Sequence, residues 1–339
     1  MNTKIIQTYI SMLFLASLVF FVSCKGDTKK QEAPKTVAPT KSRIKIPKFN
    51  ADTAYALIEK QLSFGTRVPG SPGHTAQREW MVDYLEERGA EVTEQNFQVS
   101  FLTVENVTAT NIIASFDPKK KKRFILAAHW DTRLIAEKDP DEAMREKPIM
   151  GADDGASGVA VLMEIANIIQ KNPLDVGIDL IFFDAEDNGT PGGDQLSWCL
   201  GSQYWGKNLH KKGYTAEGGI LLDLVGAKDN RYGLDSESTK YAPNLQKKVW
   251  ELARGMGNTD LFQNYRVDVI DDHIFVNAYA KIPMIDIIGT PQAGSNKVFG
   301  PHHHTHEDDI DIISKKTLKK TGQVVTAVIY KFSEGSFVF

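Results

Sequence analysis

The chain reads as an α/β protein: a three-layer α/β/α sandwich around a central twisted sheet, mixed but mainly parallel. Two observations predict this. Short, almost unbroken apolar runs such as "RFILAAHWD", "VGIDLIFFDAED" and "AEGGILLDLVG" suit strands buried on both faces. These runs alternate with longer segments of helical period, the order that builds a parallel sheet covered by helices.

Each element has its own signal. "ADTAYALIEKQLSFG" has the period of an amphipathic helix. "SPGHTAQREWMVDYLEERGA" opens with Ser and Pro and stops at Gly89, which marks a second helix. "EVTEQNFQVS" and "VTATNIIASF" alternate as strands, and "RFILAAHWD" is the first buried strand. "GASGVAVLMEIANIIQKN" places Val159, Leu162, Ile165, Ala166 and Ile169 on one helical face. The buried strand "VGIDLIFFDAED" follows, then a loop and the helix of "WCLGSQYWGKNLHKKG". "AEGGILLDLVG" is a third buried strand, "YAPNLQKKVWELARGMG" a helix, "KIPMIDIIGT" a fourth strand, and "SKKTLKKTGQVVTAVIYKFSEG" a closing helix. No repeat and no interior linker composition interrupts 44–339, so one catalytic domain is expected there.

The N-terminus reads differently. "MLFLASLVFFV" is too short to span a bilayer stably, and "SCKG" follows it. Residues 1–23 therefore read as a lipoprotein signal peptide, with Cys24 as the lipidated first residue of the mature chain. Residues 24–43, polar and rich in Lys, Pro and Thr, read as a flexible tether. The expectation is an exported bacterial lipoprotein, membrane-anchored and facing the periplasm. Cys199 is then alone, without a partner for a disulfide. A formal net charge of -3 with dispersed basic residues excludes a nucleic-acid binder, and "DPKKKKR" reads as a solvated turn. No nucleotide cofactor is expected.

In open α/β sheets, sites form beyond the carboxyl ends of the strands. Here those ends carry His129 and Asp131, then Asp184, Glu186 and Asp187, then Asp223. Asp153 and Asp154 precede the long helix, and "FGPHHHTHEDDIDII" follows the fourth strand. Carboxylates gathered together repel one another and resist leaving water, so a cation is expected among them. Oxygen and nitrogen donors without a thiolate suit a catalytic zinc, whereas calcium would want an all-oxygen set. The neighbours Glu186 and Asp187 can divide the work, one holding metal and the other facing substrate as general base.

Seven motifs in order, "AAHWDTR", "GADDGASGVAVLMEIA", "FFDAED", "SWCLGSQYW", "LLDLVGAKD", "DDHIFV" and "HTHEDD", resemble the zinc exopeptidase superfamily of bacterial leucyl aminopeptidase fold. Within it the chain resembles glutaminyl-peptide cyclotransferases, the glutaminyl cyclases, in their Bacteroidetes form. The resemblance implies one zinc held by Asp154, Asp187 and His304. It implies Glu186 as general base and acid, with Asp223 and Asp271 completing a carboxylate network and Asp272 a weaker candidate. His129 and Asp223 occupy the places that hold a second zinc in the superfamily's dinuclear aminopeptidases, with Asp131 orienting His129. Trp198 is expected as a pocket wall, Trp130 and Trp205 as core. Asp187 stands where animal cyclases often carry glutamate. His303 stands where they carry tryptophan, and Phe299 is a candidate to replace that wall. His303 and His306 are expected at the rim and His302 in solvent.

The implied reaction closes the N-terminal glutamine of a peptide or protein to pyroglutamate and releases ammonia. The alternative is a zinc aminopeptidase with two metal ions that hydrolyses N-terminal residues. A binding lipoprotein without turnover is a third possibility, which the intact His, Asp and Glu set argues against.

Overall fold

The structure, a computed structural model, describes residues 45–292 and 298–339. The expectations for the signal peptide, the tether and Cys24 lie outside the described residues. Two helices open the described chain, α1 (Ala51–Leu62) and α2 (Pro72–Glu86). Asn50 accepts from the backbone N–H of Asp52 and Thr53, and Ser71 accepts from that of His74, so both helices begin on side-chain caps.

A six-stranded sheet follows, containing β1 (Glu91–Phe101), β2 (Val104–Phe116), β3 (Arg123–His129), β4 (Gly177–Phe183) and β5 (Gly218–Asp223). Its sixth strand, β8, comes later in the chain. Helices α3 (Ala156–Lys171) and α4 (Leu200–Lys207) lie between these strands in sequence. Next come β6 (Tyr232–Asp235), α5 (Ser236–Tyr241), α6 (Pro243–Gly255), β7 (Phe262–Val267), α7 (Asp272–Phe275), β8 (Met284–Ile288) and α8 (Lys315–Glu334). The spatial order is β1-β2-β4-β3-β5-β8. β1/β2 and β2/β4 pair antiparallel, while β3/β4, β3/β5 and β5/β8 are parallel. This is the expected mixed, mainly parallel sheet.

The two-residue period of a strand explains why β3 is apolar throughout. Phe124, Leu126 and Ala128 face the larger core beneath α1, α3 and α8. Ile125 and Ala127 face a second core with Trp205 of α4, Val276 and Met284. A strand with helices on both sides has no solvent face and needs no polar alternation. Trp130 and Trp205 are fully buried, as the sequence suggested.

One region was not foreseen. β6 and β7 form a separate two-stranded parallel sheet. β6 has four residues with no alternation in burial and β7 only six, too short for a period-two signal to stand out. α5 and α7, of six and four residues, are likewise too short for a periodic signal.

Candidate active site

Parallel register carries the strand ends to one edge. His129 pairs with Phe183, and Asp223 pairs with Ile288. Beyond that edge lies a pocket of about 420 Å³ lined by Asp154, Glu186, Asp187, Trp198, Asp223, Asp271 and His304, among others. Seven side chains singled out from the sequence thus share one pocket. His129 reaches it from behind, with Nε2 3.1 Å from both Asp154 Oδ1 and Asp223 Oδ1.

Asp154, Asp187 and His304 bring to one wall of the pocket the oxygen and nitrogen donors a divalent cation takes, and Asp154, His303 and His304 have donor atoms within 4.8 Å of one another. His304 Nε2 lies 3.0 Å from Asp187 Oδ1 and 3.8 Å from Asp154 Oδ2. Donor atoms around a tetrahedral zinc, each about 2.0–2.1 Å from the ion, sit about 3.3 Å from one another. Asp154 Oδ2 and Asp187 Oδ2 are buried without a hydrogen-bond partner, which a metal ion would remedy. The other nitrogen of His304, Nδ1, sits 2.7 Å from Glu137 Oε1 and donates to it, leaving Nε2 free as a ligand. Asp308 steadies the Asp154 loop by accepting the backbone N–H groups of Asp153 and Asp154 at 2.7 and 3.0 Å. Burial pushes the Asp308 carboxyl up to about 7. Gly155 turns the chain into α3 at φ +88; a Cβ there would sit 2.9 Å from Asp131 O and 3.0 Å from the His129 ring.

The electrostatics of the pocket favour a cation. Burial pushes the carboxyls of Asp187, Asp223, Glu186 and Asp271 above the usual range, and the charges of neighbouring carboxylates add to it at Asp187, Asp223 and Glu186. Burial works the same way on Asp154, but the hydrogen bond and charge of His129 outweigh it and hold that group low.

Four of the left-handed non-glycine residues lie around this pocket. Ala185, Cys199, Leu224 and His304 all have left-handed backbones, with φ of 53°, 56°, 51° and 59°. Each is a candidate site residue, follows or precedes one, or touches one. Such conformations cost energy for non-glycine residues and persist where the surroundings over-determine them.

Asp131 faces His129, with Oδ1 3.6 Å from Nδ1, an ion-pair separation. Its oxygens accept from the backbone N–H groups of Glu186 and Asp187 and from Asn188 Nδ2. It therefore anchors the loop that carries the two acidic neighbours. His302 is not in solvent; it is buried, with Nε2 3.1 Å from Asp153 Oδ2. His303 is buried against His304, ring centroids 3.7 Å apart, rather than at an open rim. His306 is partly exposed and bonds Asp139.

The walls follow from packing. Trp198 stacks nearly parallel to His304, and the Arg133 guanidinium lies 4.6 Å from its ring on another side. Gly189 lets the following loop lie on this indole, since a Cβ there would come within 2.2 Å of it. Phe299 stacks on His303 at 4.2 Å, and both line the pocket where a tryptophan was missing from the motif. The reading of the sequence missed Glu137, which sits in the charge-mixed insert "LIAEKDPDEAMREKPIM" and carries no local signal. Asp308, by contrast, stood in plain view within "HTHEDD".

Known proteins share this architecture. The pattern of peptidase family M28 matches residues 111–329. The solved glutaminyl cyclase of Bacteroides thetaiotaomicron, bound to N-acetylhistamine, is 44% identical over 84% of this chain and 99% of that one, with a TM-score of 0.81. The glutaminyl-peptide cyclotransferase of Bothrops jararaca is 25% identical over 78% of this chain and 77% of its own length. Aminopeptidase YwaD of Bacillus subtilis (strain 168) is 28% identical over 74% of this chain; the match spans 51% of that protein, about half its length. With the family pattern running from the second strand of the sheet into the last helix, this chain belongs to peptidase family M28.

Proposed function

We propose that this enzyme cyclises the N-terminal glutamine of peptides or proteins to pyroglutamate, with one zinc held by Asp154, Asp187 and His304. The observation that carries the reading is the adjacency of Glu186, a buried carboxylate facing the pocket, to that three-residue set. The likeness to glutaminyl cyclases over nearly their whole length supports it.

When bound, zinc polarises the side-chain carbonyl of the substrate glutamine. Glu186 takes a proton from the α-amino group, freeing the nitrogen lone pair. That nitrogen bonds to the side-chain carbonyl carbon, and the bond from this carbon to the amide nitrogen breaks. The attack is intramolecular, so orientation is already supplied by the substrate. Glu186 gives that proton to the departing nitrogen, and the second proton left on the ring nitrogen passes the same way, so the lactam keeps one N–H and the leaving group departs as ammonium. Its raised affinity for protons suits both halves of this exchange. Asp223 and Asp271 steady the amine and the leaving group. Trp198, Phe299 and His303 wall the pocket against water.

A second reading, aminopeptidase, has one specific observation in its favour. Donor atoms of His129, Asp154 and Asp223 lie within 4.8 Å of one another and would suit a second ion. Zinc stoichiometry measured alongside ammonia release from a Gln-initiated dipeptide decides between them. One zinc and ammonia with the peptide bond intact supports the cyclase. Two tightly held zincs and free amino acids would replace it.

We also infer attachment to a membrane through Cys24 after removal of 1–23, on the pattern of the leader. Fatty-acid labelling of the full chain that is lost in Cys24→Ala tests this; equal labelling of both would reject it.

A further inference from the structure

We propose that Cys199 is a positioning residue that holds the Glu186 carboxylate in register with the pocket. The inference rests on the cyclase reading of this site. Cys199 touches Glu186 at both of its ends. Its backbone N–H donates to the Glu186 carbonyl oxygen at 2.9 Å, and its thiol Sγ lies 3.1 Å from Glu186 Oε1. The next residue repeats the tie, Leu200 N–H donating to the Ala185 carbonyl at 3.0 Å. The segment entering α4 is thus laced to the segment carrying the base.

The other carboxylate oxygen is left differently. Glu186 Oε2 is 4.0 Å from His129 Nδ1, beyond hydrogen-bond reach. One oxygen is held and the other remains for the substrate amine. Donor atoms of Glu186, Cys199 and Asp271 all lie within 4.8 Å of one another, so the thiol sits between two acids of the network. Cys199 is fully buried, and burial with the neighbouring Glu186 charge pushes the thiol well up, keeping it a donor.

The residue type is informative. A thiol is a weak donor, so it fixes the carboxylate while drawing off little of the charge a base needs. The position itself is costly for cysteine. Its backbone is left-handed, φ 56° and ψ 39°, where glycine is the default residue. Glycine would carry this backbone with less strain, so the left-handed turn itself does not call for cysteine.

The experiment compares wild type with Cys199→Ala, Cys199→Gly and Cys199→Ser as zinc-loaded proteins, scoring zinc content and ammonia release from a Gln-initiated dipeptide. Glycine relieves the backbone strain, so a folded protein without the thiol remains available if alanine fails. Loss of the donor should lower kcat by about tenfold or more, with KM within about twofold and zinc content unchanged. Serine keeps a donor and should stay within about threefold of wild type. Full kcat in the folded alanine or glycine variant would overturn the proposal, as would serine being as slow as they are. Wild type that released no ammonia would instead overturn the cyclase reading, and the same four proteins would then be ranked on peptide-bond hydrolysis.

Discussion

His304 is held between two carboxylates, with Nδ1 2.7 Å from Glu137 Oε1 and Nε2 3.0 Å from Asp187 Oδ1. The first contact fixes the tautomer, and the second sets Nε2 beside a carboxylate of the proposed zinc set. Burial opposes ionisation of Glu137, yet the hydrogen bond from His304, helped by Arg133, holds its carboxyl down at about 2. Glu137 therefore stays an acceptor across the working range. Glu137→Ala should weaken zinc affinity by about 10–100-fold, measured by competition with a chelator. An unchanged affinity would mean that His304 orients itself.

Glu186 faces the pocket without a metal contact of its own in the proposed set. Glu186→Gln keeps size and shape but removes the base. Turnover should fall by about 10²–10⁴-fold while zinc content and thermal unfolding stay as in wild type. Normal turnover in this variant would move the base to another residue.

The pH profile carries a signed expectation. Burial raises the Glu186 carboxyl well above its ordinary range; His129 opposes this, and the charges of Asp187, Asp271 and Asp272 reinforce it. The reaction needs the ionised form, so kcat/KM falls as pH drops through that value. Asp271→Asn removes one negative neighbour and makes ionisation easier. The acid limb of the residual activity should therefore move to lower pH. A limb that stayed in place or moved upward would show that Asp271 does not act on Glu186 through its charge.

Far from the pocket, Arg123 and Asp179 form a buried pair. Arg123 Nε and Nη2 each donate to Asp179 at 2.6 Å, and Tyr214 and Ser115 also donate to the same carboxylate at 2.6 Å. Arg123→Met strands a fully buried charge. Denaturant unfolding should show a loss of about 3–5 kcal/mol. A loss under about 1 kcal/mol would mean the hydroxyl donors suffice by themselves.

The layered fold and most of the pocket were legible in the chain itself. An apolar run such as "FILAA" can be stable only with cover on both faces, and the strand period then dictates which core each residue enters. A polar residue at the end of such a run has to emerge at the sheet edge, so His129, Asp187 and Asp223 were placed by order alone. Contacts between segments far apart in sequence were not legible. Glu137 meets His304, Cys199 meets Glu186, and Asp131 receives the N–H groups of Glu186 and Asp187 as well as facing His129. Local propensity depends on neighbours along the chain, whereas these pairings depend on loop paths and left-handed turns that packing across the whole domain enforces. The sequence therefore determined which chemical groups arrive at the site; tertiary packing decided which atom of each faces the pocket and which faces another side chain.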